Sequence, residues 1–137
     1  MNQGMHQIGE VAEATGLSLR TIRHYEEVDL VPPSGRTSGG FRLYTEDDIE
    51  RLQLIKHMKP LEFSLDELRQ LLSARDRLAA EPENEADRAQ LLEQLRMFSE
   101  LAEGRCEHLR SQLGAAEAAV KMLHQEARPR RSHTSRR

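Results

Sequence analysis

Only one cysteine, Cys106, occurs in 137 residues, so neither an intrachain disulfide nor a site of several thiolates can form within one chain. A secreted disulfide scaffold is excluded. No stretch approaches the roughly 20 consecutive apolar residues of a membrane span, and Met1-Asn2-Gln3-Gly4 has neither the basic flank nor the apolar core of a secretory signal. The expected location is therefore cytoplasmic, with no membrane partner. Histidines at 6, 24, 57, 108, 124 and 133 show no metal-ligand spacing, and no nucleophile elbow or phosphate loop accompanies them. An enzyme is the weakest reading, and no cofactor is expected.

Positive charge is also scarce for a nucleic-acid binder, because the net charge is −3. Residues 1–77 carry 10 basic and 13 acidic side chains, residues 78–127 carry 5 and 10, and residues 128–137 carry 5 and none. Binding to a polyanion would need cations gathered on one face of an acidic body. Arg20, Arg23, Arg36 and Arg42 lie together in sequence among Glu26, Glu27 and Asp29, which permits such a face.

What is present is a helical pattern. Ile8, Val11 and Ala12 recur at helical spacing and Thr15-Gly16 ends that helix. Ser18 then stands as the N-cap of a second short helix running to about Glu27, with Leu19, Ile22 and Tyr25 as its apolar contacts. Helix, glycine turn and capped helix form a helix-turn-helix pattern, whose second helix lies in the major groove. Pro32-Pro33 stops any helix, Gly39-Gly40 makes a flexible tip, and Phe41-Arg42-Leu43-Tyr44 alternates as a strand, so a small β-hairpin wing is expected.

Thr45 with Asp48 caps a third helix carrying Ile49, Leu52 and Ile55; Pro60 interrupts it, and the capping box Ser64-x-x-Glu67 opens a fourth. The expected core draws on Ile8, Val11, Leu17, Ile22, Leu30, Ile49, Leu52, Ile55, Phe63, Leu68 and Leu71. These elements make a winged helix-turn-helix head over residues 5–77. Residues 78–85 are acidic and broken by Pro82, a connector. From 86 to 127 there is no proline and strong helix formers dominate, giving one helix roughly 60 Å long at about 1.5 Å per residue. Its apolar positions Leu91, Leu95, Phe98 and Ala102 follow 4-3-4 spacing, and Leu109, Leu113, Ala116, Val120 and Leu123 resume it after a phase shift near Cys106. A single helix cannot bury that stripe against itself, so homodimerisation is expected. The fold class is mainly α, a winged head followed by a long antiparallel coiled-coil helix, and residues 128–137 form a basic tail expected to be disordered.

The ordered set Ile8-Gly9-Glu10-Val11-Ala12, Gly16-Leu17-Ser18-x-x-Thr21-Ile22-Arg23-x-Tyr25-Glu26, Leu30-x-Pro32-Pro33, Arg36, Gly40-Phe41-Arg42-x-Tyr44, Asp48-Ile49 and Leu61-x-Phe63-Ser64-Leu65-x-Glu67-Leu68 resembles the head of the mercury-resistance-regulator (MerR) family. The resemblance covers about residues 6–75. It implies that Ser18, Arg20, Thr21 and Arg23 approach the DNA groove, that Tyr25 contacts the backbone, and that Phe41 and Arg42 of the wing press on neighbouring phosphates, with Arg36 and Lys59 as further cations. The family usually has tyrosine at the Phe41 position and an aromatic at the His24 position, so altered phosphate contacts are implied at both. Lys59 replaces a usual arginine, keeping the cation and losing the fork geometry. Glu62 stands where glycine is common, which puts the turn there in doubt.

The implied mechanism is a homodimer that binds a palindrome in an overlong promoter spacer and distorts the DNA so that RNA polymerase holoenzyme can use both promoter elements. Metal sensors of the family carry paired cysteines beyond the long helix. Here, Cys106 and His108 lie about 200° apart around a helix and cannot chelate one ion within a chain. Cys106 is either a small buried residue or, in an antiparallel pair, a thiol close to its twin and able to form a redox-sensitive intersubunit bond. The rival function is a DNA-architectural protein, excisionase-like or nucleoid-associated, on the same winged head. A rod holding two heads at a set spacing argues for the regulator.

Overall fold

In the computed structural model, residues 4–129 are described. The basic tail expected over 128–137 falls almost entirely outside them. Strand β1 (Met5–Gln7) leads into α1 (Ile8–Thr15) and α2 (Leu19–Glu27); β2 (Gly35–Arg36) and β3 (Arg42–Thr45) follow, then α3 (Glu46–Met58), a 3-10 turn at Lys59–Leu61, α4 (Leu65–Ala79) and α5 (Glu85–Ala127). The chain divides into two compact units, Met1–Phe98 and Ser99–Arg137.

Local chemistry places the helix ends where the sequence suggested. Gly16 closes α1 at φ 75°, a left-handed conformation that an L side chain resists, and its N–H reaches the Ala12 carbonyl at 2.8 Å. The Ser18 hydroxyl caps α2 by accepting from Thr21 N–H at 3.0 Å. Capping boxes open α3, between Thr45 and Asp48, and α4, between Ser64 and Glu67. Glu62, the position where a glycine turn was in doubt, makes that turn itself: its φ is 56°, in the left-handed region, and its N–H closes on Lys59 O at 3.1 Å.

The hairpin is part of a larger sheet than expected. Strand β3 is central, pairing antiparallel with β2 (Arg36 opposite Arg42) and with β1 (His6 opposite Tyr44) in the order β1-β3-β2. Three residues with no strand-like run gave no signal for β1; its pairing is a tertiary effect, reinforced by His6 Nε2 lying 2.5 Å from Glu46 Oε2 at the start of α3.

Val11, Ile22, Leu30, Ile49, Leu52 and Ile55 fill the core as expected, but Val31, Tyr44 and Leu72 join them. Tyr44, on the central strand, is fully buried because its side chain packs into this core cluster. Ile8, Leu17 and Leu68 are only partly buried at its margin. The connector is shorter than 78–85, since α4 continues to Ala79 and α5 starts at Glu85. Nor is the first part of α5 separate from the head: Leu91 is buried within the first unit, and the Phe98 ring lies 6.2 Å from that of Phe63. In the second unit α5 leaves Leu109, Leu113, Val120 and Leu123 exposed, with Cys106 half-buried.

Candidate nucleic-acid interface

The cap at Ser18 sets the phase of α2. Ile22 faces the core while Arg20, Arg23 and His24 face outward, because residues one and two positions away from a buried helical residue turn to other sides. Tyr25 is half-buried against the core, and that burial raises its hydroxyl pKa, so the group stays a neutral donor. The Tyr25 carbonyl also accepts from Leu30 N–H at 2.8 Å and Val31 N–H at 3.1 Å, which ties the end of α2 to the segment leading into the wing.

Beside this face lies an open groove of about 740 Å³. Arg20, Thr21, Arg23, His24 and Tyr25 from α2 and Lys59 from the 3-10 turn line it, together with Glu27. Positions 20–25 and position 59, remote in sequence, thus share one surface. Among the described residues no ion pair or side-chain hydrogen bond engages Arg20, Arg23 or Lys59, so three cations stand free around the opening. Glu27 lies 4.0 Å from the His24 Nδ1. Ser18 is the cap at the helix entrance and does not line the groove.

The wing residues are arranged differently. Phe41 is 65% exposed at the tip, where Gly40 takes φ 86° to close the turn. Arg42 and Arg36 are not free cations: Glu26 of α2 binds Arg42 Nε through one carboxylate oxygen and Arg36 Nη2 at 3.1 Å through the other. The hydrogen bond to Glu26 raises the Arg42 pKa further above its ordinary value, against the opposing effect of burial. This double engagement of Glu26 was not legible in the sequence, because the partners stand 10 and 16 residues away. Cys106 belongs to the second unit and is half-buried on α5. Among the described residues no three of His, Cys, Asp and Glu are grouped as metal ligands, and no helix is long and apolar enough to cross a membrane.

Two family profiles match the chain: "MerR HTH family regulatory protein" over residues 7–75 and "MerR, DNA binding" over residues 49–125. The chain belongs to the MerR family. Over 71 residues this MerR protein is 48% identical to the HTH-type transcriptional regulator ZntR of Escherichia coli (strain K12), a match covering 52% of this chain and 50% of ZntR. It thus spans about half the length of that relative. An uncharacterized HTH-type transcriptional regulator of Pseudomonas aeruginosa is 40% identical over 97 residues, covering 69% of this chain and 74% of that protein. Among solved structures, a putative MerR family transcriptional regulator from Listeria monocytogenes aligns with a TM-score of 0.59 at 27% identity, over 84% of this chain and 83% of that one. The winged-helix fold class, with its small antiparallel sheet and long C-terminal helix, is that of the MerR family.

Proposed function

We propose that the chain is a sequence-specific DNA-binding transcriptional regulator that acts as a homodimer on a palindromic promoter site. The observation that carries this reading is the groove beside α2, where Arg20, Arg23 and Lys59 surround an opening and none of them has an ion-pair partner among the described residues. Unpaired guanidinium and ammonium groups on a helix face are suited to phosphate oxygens and base edges, whereas a purely structural cation is expected to sit in an ion pair. In this reading α2 enters the major groove, Ser18, Thr21 and His24 flank the contact, Tyr25 donates to the backbone, and Phe41, Arg36 and Arg42 of the wing reach the adjacent backbone.

The homodimer rests on the exposed stripe of Leu109, Leu113, Val120 and Leu123 in α5, whose burial against a second copy would contribute about 1.5–3 kcal/mol per leucine. An antiparallel pair places two heads on one duplex, and promoter distortion for RNA polymerase holoenzyme is the regulatory outcome. The working division is a DNA-binding head, a short connector and a dimerisation helix whose first turns belong structurally to the head.

The test is to sequence genomic DNA enriched by the full chain and footprint the recovered site. One short palindrome between promoter elements is expected. Cooperative spreading along the duplex would replace the regulator by an architectural protein, and no enrichment over bulk DNA would remove sequence specificity.

A further inference from the structure

The outer edge of the wing has little to hold it. β3 is fixed on one side by β1, and Ser34 at the wing's base donates to Asp48 Oδ2 at 2.5 Å, but the ladder of the outer strand β2 to β3 involves only Gly35 and Arg36. Bonds within the tip, Thr37 N–H to Phe41 O and Gly40 N–H to Thr37 O at 2.8 Å each, preserve its shape without relating it to α2. Phe41, the large apolar residue of the tip, is exposed.

Among the described residues, the polar side-chain link from the wing to α2 is one carboxylate. Glu26 receives Arg42 on Oε1 and Arg36 on Oε2, and Arg36 Nη1 also donates to Gly40 O at 2.9 Å, so the chain α2, Glu26, Arg36, wing tip is continuous. The Glu26 and Arg42 side chains are 22% and 29% exposed, hence less screened by salt than surface pairs. We infer that Glu26 is a positioning residue for DNA binding: it fixes the wing to the recognition helix and so sets where the remaining N–H groups of Arg36 and Arg42 meet the DNA backbone. Its negative charge therefore assists binding to a polyanion.

This inference rests on the DNA-binding reading, and the two fail separately. Simple electrostatics predicts that Glu26→Gln, which removes a negative charge from a DNA-facing surface, tightens binding. The positioning role predicts the reverse. The measurement is anisotropy of the full chain with the enriched duplex, titrated across salt concentration, with thermal unfolding as a control on folding. Expected for Glu26→Gln is a loss of about ten-fold in affinity, with the slope of log K against log salt smaller by roughly 1–2, since each lost phosphate contact removes about 0.9. Affinity unchanged within three-fold, or increased, overturns the inference, as does weaker binding at an unchanged slope. If Glu26→Gln does not fold, the Arg42→Gln and Arg36→Gln variants and their double replace it. Sub-additive losses support a shared strut, and additive losses overturn it. Failure of the unaltered chain to bind the duplex would refute the DNA-binding reading itself.

Discussion

The rings of Phe63 and Phe98 meet at 6.2 Å and 55°, an edge-inclined pair joining the turn before α4 to the first part of α5. With Leu91 buried nearby in the chain, this contact makes the start of the long helix part of the head's core. Phe98→Ala is expected to cost about 2 kcal/mol, less than the ~3–5 kcal/mol of a fully buried aromatic because Phe98 is only half-buried. Phe63→Ala and Phe98→Ala should couple by about 0.5–1.5 kcal/mol in a double-mutant cycle by urea unfolding at fixed protein concentration. Strict additivity would show that the rings stabilise independently.

Glu62 holds a left-handed conformation at φ 56°. That conformation costs a non-glycine residue about 1–2 kcal/mol, against the roughly 0.5–1 kcal/mol that glycine loses in chain entropy on folding. Glu62→Gly should raise stability by up to about 1 kcal/mol, read as a higher denaturant midpoint at constant slope. A lower midpoint would mean that the Glu62 side chain stabilises the turn more than its backbone strains it.

Tyr44 is fully buried and its hydroxyl has no hydrogen-bond partner among the described residues. An unpaired buried hydroxyl costs on the order of 1 kcal/mol or more, so Tyr44→Phe should leave stability unchanged or raise it by about 1 kcal/mol. Burial also raises the Tyr44 pKa above its ordinary value. The folded state therefore resists ionisation more than the unfolded chain does, and the associated stability is complete below about pH 10 and falls as pH rises further. Tyr44→Phe should make that alkaline loss shallower in thermal melts between pH 9 and about 11. A destabilised variant with an unaltered alkaline limb would contradict both points.

Lys59 and Arg23 line the same groove and should differ in what they do. Lys59→Ala is expected to weaken binding to every duplex alike and to lower the salt slope by about 0.9. Arg23→Ala should cost about 1–3 kcal/mol on the enriched site and less on random duplex, relaxing specificity. Equal losses on both duplexes would reduce Arg23 to a phosphate contact, and no loss would remove it from the interface.

Leu113 is 57% exposed on α5. A glutamate there, Leu113→Glu, would bury a charge in the proposed helix pair, so sedimentation should show monomer at concentrations where the unaltered chain is a dimer. A variant that stays dimeric would place the interface elsewhere.

Much of this protein was legible along the chain because its signals are local. Ser18, Thr45 and Ser64 cap helices by bonds to residues three positions on, and Gly16 ends one by its own backbone freedom. Of the residues that the family resemblance named, Arg20, Thr21, Arg23, His24 and Tyr25 share one short helix, whereas Lys59 joins their groove only through the fold. The roles of Tyr44, Glu26 and Leu91 were not. Each depends on partners that sequence spacing does not reveal: a strand arriving from the N-terminus, two arginines across the wing, and a head that covers the first turns of a helix read as dimer surface.

The amino-acid order alone determined where helices begin and end and which side of α2 carries its cations, since hydrogen bonds and periodicity within a few residues decide both. Only tertiary structure decided that Arg36 and Arg42 converge on one carboxylate and that β3 lies at the centre of a three-stranded sheet. Those outcomes follow from long-range closure of the chain, in which burial and charge pairing outweigh the entropy of bringing distant segments together.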